Sequence, residues 1–186
     1  MSDTVANDKF DVILIDAPWR FRVWSEKKAT RRPPYPTMTT EQICALEIPA
    51  AENCALFVWA TWPMIESAFK AIDAWGFKYR TLAWIWVKLN KNGLGFFTGS
   101  GYYTRANSEP CLLAVRGTMP RQAKDVQAVI VSPVRQHSRK PDEQYPKIER
   151  LYPNMRYLEM FARQRREGWS AWGNEVESDV DILTKL

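Results

Sequence analysis

The chain is poor in the residues that build metal sites and disulfide frameworks. Its 186 residues include three cysteines and one histidine. Cys44, Cys54 and Cys111 stand far apart, form no C-x-x-C pair, and have only His137 to join them. That argues against a structural zinc site, and the cysteines read as small buried hydrophobes. No apolar run approaches the ~20 residues that a membrane span needs. Met1 to Lys9 is polar and lacks the apolar stretch of a signal peptide. The expectation is a cytoplasmic protein without metal or membrane. Repeats, low-complexity segments and internal linkers are also missing, and the length suits one domain with a full hydrophobic core.

What is present tilts toward a polyanionic partner. Lys and Arg number 26 against 21 Asp and Glu, a net charge of +5, and there are nine tryptophans. A basic surface favours nucleic acid, although many enzymes of small molecules are basic too. Tryptophan stacks well on bases, although most tryptophans are core or interface.

Phe10-Asp11-Val12-Ile13-Leu14-Ile15 is a short, apolar, β-branched run. It reads as a parallel strand, because a strand covered on both faces need not alternate. Residues 1–9 before it read as disordered, and residues 17–36, rich in Pro and Arg, as a loop. Thr39-x-x-Gln42 resembles a capping box and predicts a short helix through about Leu46. Cys54 to Ala60 is the next strand, and Pro63 opens a helix that Gly76 ends. Tyr79 to Val87 reads as a strand, and Lys88 to Asn107 as a long loop with four glycines. Cys111 to Val115 and Ala128 to Val131 are strands. Pro141 opens a helix through about Leu151, with Asp142 and Glu143 placed for its dipole. Tyr157 to Phe161 and Trp169 to Trp172 are the last strands. Alternating strands and helices predict an α/β domain over residues 10–175 with a mostly parallel sheet, and a tail over 176–186. Ligands of such sheets bind outside the carboxyl ends of the strands.

Asp16 falls at that edge, followed by Ala17, Pro18 and Trp19. An acid there can simply cap a loop. The chemistry of an aromatic amine offers another reading. The amino lone pair of adenine is delocalised into the ring, and two acceptors aimed at its N–H bonds would free it. The Asp16 carboxylate, an acceptor only, can be one. A backbone carbonyl of the turn, Ala17, can be the other. Trp19 offers a flat face to the base, and Pro18 stiffens the turn. A weak base suffices if the proton leaves after methyl transfer.

The chain resembles the MT-A70-like family of adenine N6-methyltransferases. The matching segments, in the family's order, are residues 11–19, 34–38, 56–60, 85–88, 107–112, 138–143, 148–153, 158–163 and 172–175. The resemblance implies a Rossmann-like methyltransferase fold with permuted motif order, S-adenosylmethionine as cofactor, and nucleic acid as substrate, DNA before RNA. It assigns Asp16, Ala17, Pro18 and Trp19 to catalysis. Asp16, Lys140, Arg163, Asn174 and Glu175 match cofactor positions. Tyr35, Lys88 and Glu109 match positions near the acceptor base. Relatives pair, so a second copy of the chain is a candidate partner. A non-catalytic partner subunit is the competing reading, since some relatives have lost the catalytic acid.

Two departures stand out. Ala17 replaces a proline usual in the family, so the stiffness of the turn is expected to rest on Pro18 alone. Arg165 and Arg166 stand where some relatives carry His-Asn. Basic residues gather at Arg20, Arg22, Lys27, Lys28, Arg31 and Arg32, and again at Arg163, Arg165 and Arg166. Each group is either a solvated charged loop or a set of phosphate contacts. Glu159, inside a strand, needs a partner.

Overall fold

The computed structural model describes residues 9–20, 36–101, 103–136 and 139–184. Seven strands form one sheet. They are β1 (Phe10–Ile15), β2 (Ala50–Trp59), β3 (Lys78–Leu89), β4 (Ser108–Arg116), β5 (Val129–Pro133), β6 (Tyr157–Met160) and β7 (Trp169–Trp172). Among the described residues three α-helices accompany them, α1 (Thr40–Cys44), α2 (Ile65–Ala74) and α3 (Gln144–Leu151). The strand order is β5-β3-β4-β2-β1-β6-β7. Four of the neighbouring pairs are parallel, and β4 alone runs against both of its neighbours. The mostly parallel α/β expectation therefore holds.

β1 lies near the middle of the sheet, and Val12 to Ile15 are almost wholly buried. Ile13 and Ile15 join the core under α1 and α2, with Ile43, Ala68 and Ile72. Val12 and Leu14 join the opposite core, with Trp84, Trp169 and Ile148 of α3. Burial on both faces is why the β1 sequence shows no alternation.

Several boundaries differ from the sequence expectation. β2 starts at Ala50, β3 runs from Lys78 to Leu89, and β4 starts at Ser108. The expected loop over 88–107 is thus shortened, with Lys88 and Glu109 inside strands. Half-exposed strand ends with charged residues lack the apolar pattern that marks a strand. A short 3₁₀ turn, Trp62–Met64, precedes α2. Pro141 to Glu143 form a turn ahead of α3, whose first residue is Gln144. Asp142 spends its charge there on Arg135 and Arg139 rather than on the helix dipole. The capping box is present: Gln42 N–H donates to Thr39 Oγ1 at 3.2 Å, and Thr39 N–H to Gln42 Oε1 at 2.9 Å. No helix of the described residues is long and apolar enough to cross a membrane.

Candidate active site

One edge of the sheet gathers most of the singled-out residues. Asp16 follows β1, Ala60 and Thr61 follow β2, Phe161 to Arg163 follow β6, and Asn174 and Glu175 follow β7. β4 is antiparallel, so its beginning, Ser108 and Glu109, reaches the same edge beside Lys88 near the end of β3. Lys140 arrives from the turn before α3.

These side chains form a line of alternating charge. Lys140 Nζ donates to both oxygens of Asp16, at 2.8 and 2.9 Å. It also lies 3.3 Å from Glu109 Oε2. Lys88 closes the line on Glu109 Oε1. Lys140 is 9% exposed and Glu109 13%, while Asp16 keeps 29%. Burial pushes the Asp16 carboxyl up, and Lys140 opposes the rise without cancelling it. Burial also works against Glu109, but Lys140 and Lys88 outweigh it and hold that carboxyl low. Lys140 is held firmly protonated, since its two carboxylates outweigh its burial. Its ammonium also sits over the Trp59 ring, 5.6 Å from the centroid.

Two cavities meet on this line. One, of about 100 Å³, extends toward α3 past Gln144, Tyr145 and Glu159. The other, of about 220 Å³, extends past Pro18, Trp19, Thr61, Glu109 and Asn174. They share Asp16, Trp59, Lys140, Phe161, Arg163 and Glu175. Asp16 is therefore reachable from both sides. Phe161 has φ of 61°, a left-handed conformation rare for an aromatic residue. Such strain gathers at functional sites. Gly173 is needed nearby, because a Cβ there would lie 2.2 Å from the Ala162 carbonyl oxygen.

The turn after β1 departs from expectation in two ways. Its stiffness does not rest on Pro18 alone. Trp19 N–H donates to the Ala17 carbonyl at 2.9 Å, and Met38 N–H to the Pro18 carbonyl at 2.8 Å. Arg20 N–H returns to the Met38 carbonyl at 3.0 Å. The Ala17 carbonyl thus already accepts one bond, and a carbonyl oxygen has a second lone pair to offer. Trp19 is not a free platform either. It is 4% exposed, and its indole N–H donates to the Trp59 carbonyl at 3.2 Å, so its ring is a wall of the cavity.

Arg163 pairs with Glu175 at 2.9 Å, which ties two expected cofactor residues together. Arg165 pairs with Asp179, and Arg166 with Glu149 while lying over the Tyr145 ring. Each arginine of this second basic group therefore has an acidic partner within the chain. Of the first group only Arg20 falls within the described residues, and Tyr35 lies outside them. Glu159 finds its partner in Tyr145, whose hydroxyl donates to both carboxylate oxygens at 3.1 and 3.0 Å. Burial nevertheless pushes Glu159 up to about 7. Among the described residues no group of three or more His, Cys, Asp or Glu could hold a metal ion.

Trp59, Gln144 and Tyr145 were not singled out by sequence. Trp59 donates its indole N–H to the buried Gln144 side chain at 2.6 Å. Its place at the carboxyl end of an apolar strand was a usable signal. Gln144 and Tyr145 carry none, because only the fold brings α3 to this edge.

The family model MT-A70 matches residues 10–175. The chain is 29% identical to a type II methyltransferase, M.MunI, of Mycoplasma sp, over 95% of this chain and 82% of that protein. It is 35% identical to a probable N(6)-adenosine-methyltransferase MT-A70-like of rice, over 90% of this chain and 23% of the relative. It is 33% identical to human METTL3, an N(6)-adenosine-methyltransferase catalytic subunit, over 96% of this chain and 31% of the relative. The chain thus spans most of the bacterial relative and under a third of these two eukaryotic ones.

Proposed function

The chain belongs to the MT-A70 family, and from that premise we propose that it is an adenine N6-methyltransferase that uses S-adenosylmethionine and acts on nucleic acid, DNA first. The observation that carries this reading is the partly exposed Asp16 carboxylate where two cavities meet. A two-substrate transfer needs donor and acceptor on either side of one point, and alignment there lowers the barrier.

The residues present fit the cofactor. It carries a carboxylate, an ammonium and ribose hydroxyls. Lys140 and Arg163 supply cations, and Glu175 and Asn174 supply acceptors, at the rim of the cavities. When bound, it supplies a methyl group on a positively charged sulfur.

The chain's own residues do the rest. Asp16 accepts one N–H of the target amine, and the second lone pair of the Ala17 carbonyl accepts the other. Each carboxylate oxygen can accept from Lys140 and from the substrate together. Lys140 fixes the Asp16 side chain and favours its anion. Pro18 and Trp19 wall the base. Once alkylated, the nitrogen is acidic, and Asp16 takes its proton. In duplex DNA the adenine must first leave the stack.

The preference for DNA rests on the length match with the type II methyltransferase. RNA is the second reading, favoured by the higher identity to proteins named N(6)-adenosine-methyltransferases. Incubation with labelled S-adenosylmethionine and unmethylated DNA or RNA, followed by digestion to nucleosides, decides between them. N6-methyldeoxyadenosine is expected. The ribonucleoside product would reassign the substrate. Asp16→Ala should cost at least ~100-fold in turnover while cofactor still binds. Cofactor binding without product from the unmodified chain would leave a non-catalytic subunit.

A further inference from the structure

We propose that Trp62 is the platform on which the nucleotide next to the target adenine stacks, an inference that rests on the acceptor cavity described above. Trp62 is 48% exposed, while Trp19, Trp59, Trp75, Trp84, Trp86 and Trp169 are buried. Its exposure does not serve its polar atom. The indole N–H already donates to Ser108 Oγ at 3.1 Å, so what is left for solvent is mainly ring carbon.

The position is fixed from two strands. Trp62 follows Thr61, and Ser108 precedes Glu109, and both Thr61 and Glu109 line the cavity that holds Asp16. Trp62 is not among the residues that line the cavity, and its indole N–H is anchored on the neighbour of one that is. It is also held rigidly. Pro63 restricts the backbone directly after it, and the Trp62 carbonyl accepts the Ile65 N–H in the 3₁₀ turn. A pinned, flat, apolar surface loses little freedom on binding.

Thr61 adds an independent sign of a ligand. Its hydroxyl is buried and has no hydrogen-bond partner among the described residues. A buried hydroxyl is normally satisfied, and a turn of the Thr61 side chain toward the cavity would let the polar edge of a base satisfy it. A base inserted beside Thr61 places its neighbour along the strand at Trp62. Stacking suits this neighbour because every base has a π-face, and the net charge of +5 suits its phosphates.

The test uses the full chain with labelled single-stranded oligonucleotides carrying one adenine. A second set carries an abasic site on one side or the other of that adenine. Binding is read by fluorescence anisotropy with S-adenosylhomocysteine present. Trp62→Ala should weaken the intact oligonucleotide about 10-fold. An abasic neighbour on one side should weaken binding to the parent chain similarly, and should leave Trp62→Ala unaffected. Trp62→Phe should keep most of the affinity. In turnover, KM should rise more than kcat falls. Trp62→Ala binding like the parent, or a full abasic penalty persisting in Trp62→Ala, overturns the platform. So does self-association of the parent that Trp62→Ala abolishes, because a second copy would then cover the ring. An abasic penalty that depends on Trp62 in a chain that transfers no methyl group would overturn the methyltransferase reading and leave the platform standing.

Discussion

Asp16 and Glu159 are two carboxylates of one crevice, from neighbouring strands β1 and β6, and they face different partners. β1 and β6 pair in parallel, with Leu14 beside Glu159 and Ile15 beside Met160. Both acids line the cavity toward α3, and burial raises both. Asp16 meets the ammonium of Lys140, whereas Glu159 accepts from the hydroxyl of Tyr145, with Arg166 acting on it from farther away. A cation opposes the cost of burying an anion, and a phenol does so much less. Glu159 is therefore pushed up to about 7, while the Asp16 carboxyl, also raised by burial, is drawn back by Lys140.

Removing the cation attacks this contrast most strongly. Lys140→Met leaves Asp16 and Glu109 close together without the ammonium they share. Urea unfolding should show a loss of about 3 kcal/mol, because breaking a buried pair strands its remaining charge. A variant as stable as the parent would mean that the pairing does not hold these acids. The next effect comes from Glu159. Its carboxyl is raised from 4.5 to about 7, so the folded chain binds more protons than the unfolded chain between those values. Its favourable contribution is complete below pH 4.5 and is lost as pH rises through 7. Glu159→Gln should thus gain on the parent by up to about 3 kcal/mol across that window, read from urea melts at stepped pH. A difference that is the same at every pH would show that Glu159 is not raised. Smallest is Tyr145→Phe. It removes the donor that favours the Glu159 anion, at a cost of about 1 kcal/mol in stability. The Glu159 titration, followed by NMR, should move upward, and a downward move would reverse the assigned role of Tyr145.

The sequence made one side of this contrast legible and left the other hidden. Asp16 was readable because an apolar run ends at it, and a strand end in a parallel sheet is where ligands bind. Lys140, Arg163, Asn174 and Glu175 were readable only as an ordered set of segments. Their convergence depends on strand order, which no local pattern encodes. Glu159 read as an acid in need of a partner, but Tyr145 lies on α3 and meets it across the sheet face. The turn was misjudged for a similar reason. Its bracing comes from Met38, which forms an isolated bridge with Trp19. The end of β3 was read as loop because Lys88 looks like a solvated residue in sequence, while in three dimensions Glu109 satisfies its charge.

The reversed direction of β4 has a consequence for how the crevice is assembled. Lys88 and Glu109 sit 21 residues apart on the two arms of one hairpin, whereas Asp16 and Lys140 are 124 residues apart. Closing a short loop costs less entropy than closing a long one, and local contacts form sooner. The hairpin half of the charge line is expected to form early, with Glu109 waiting for its second cation. Asp16 receives its ammonium only when the first strand and the turn before the last helix have both docked. On this topology the Asp16–Lys140 pair is expected among the last contacts of the crevice to form.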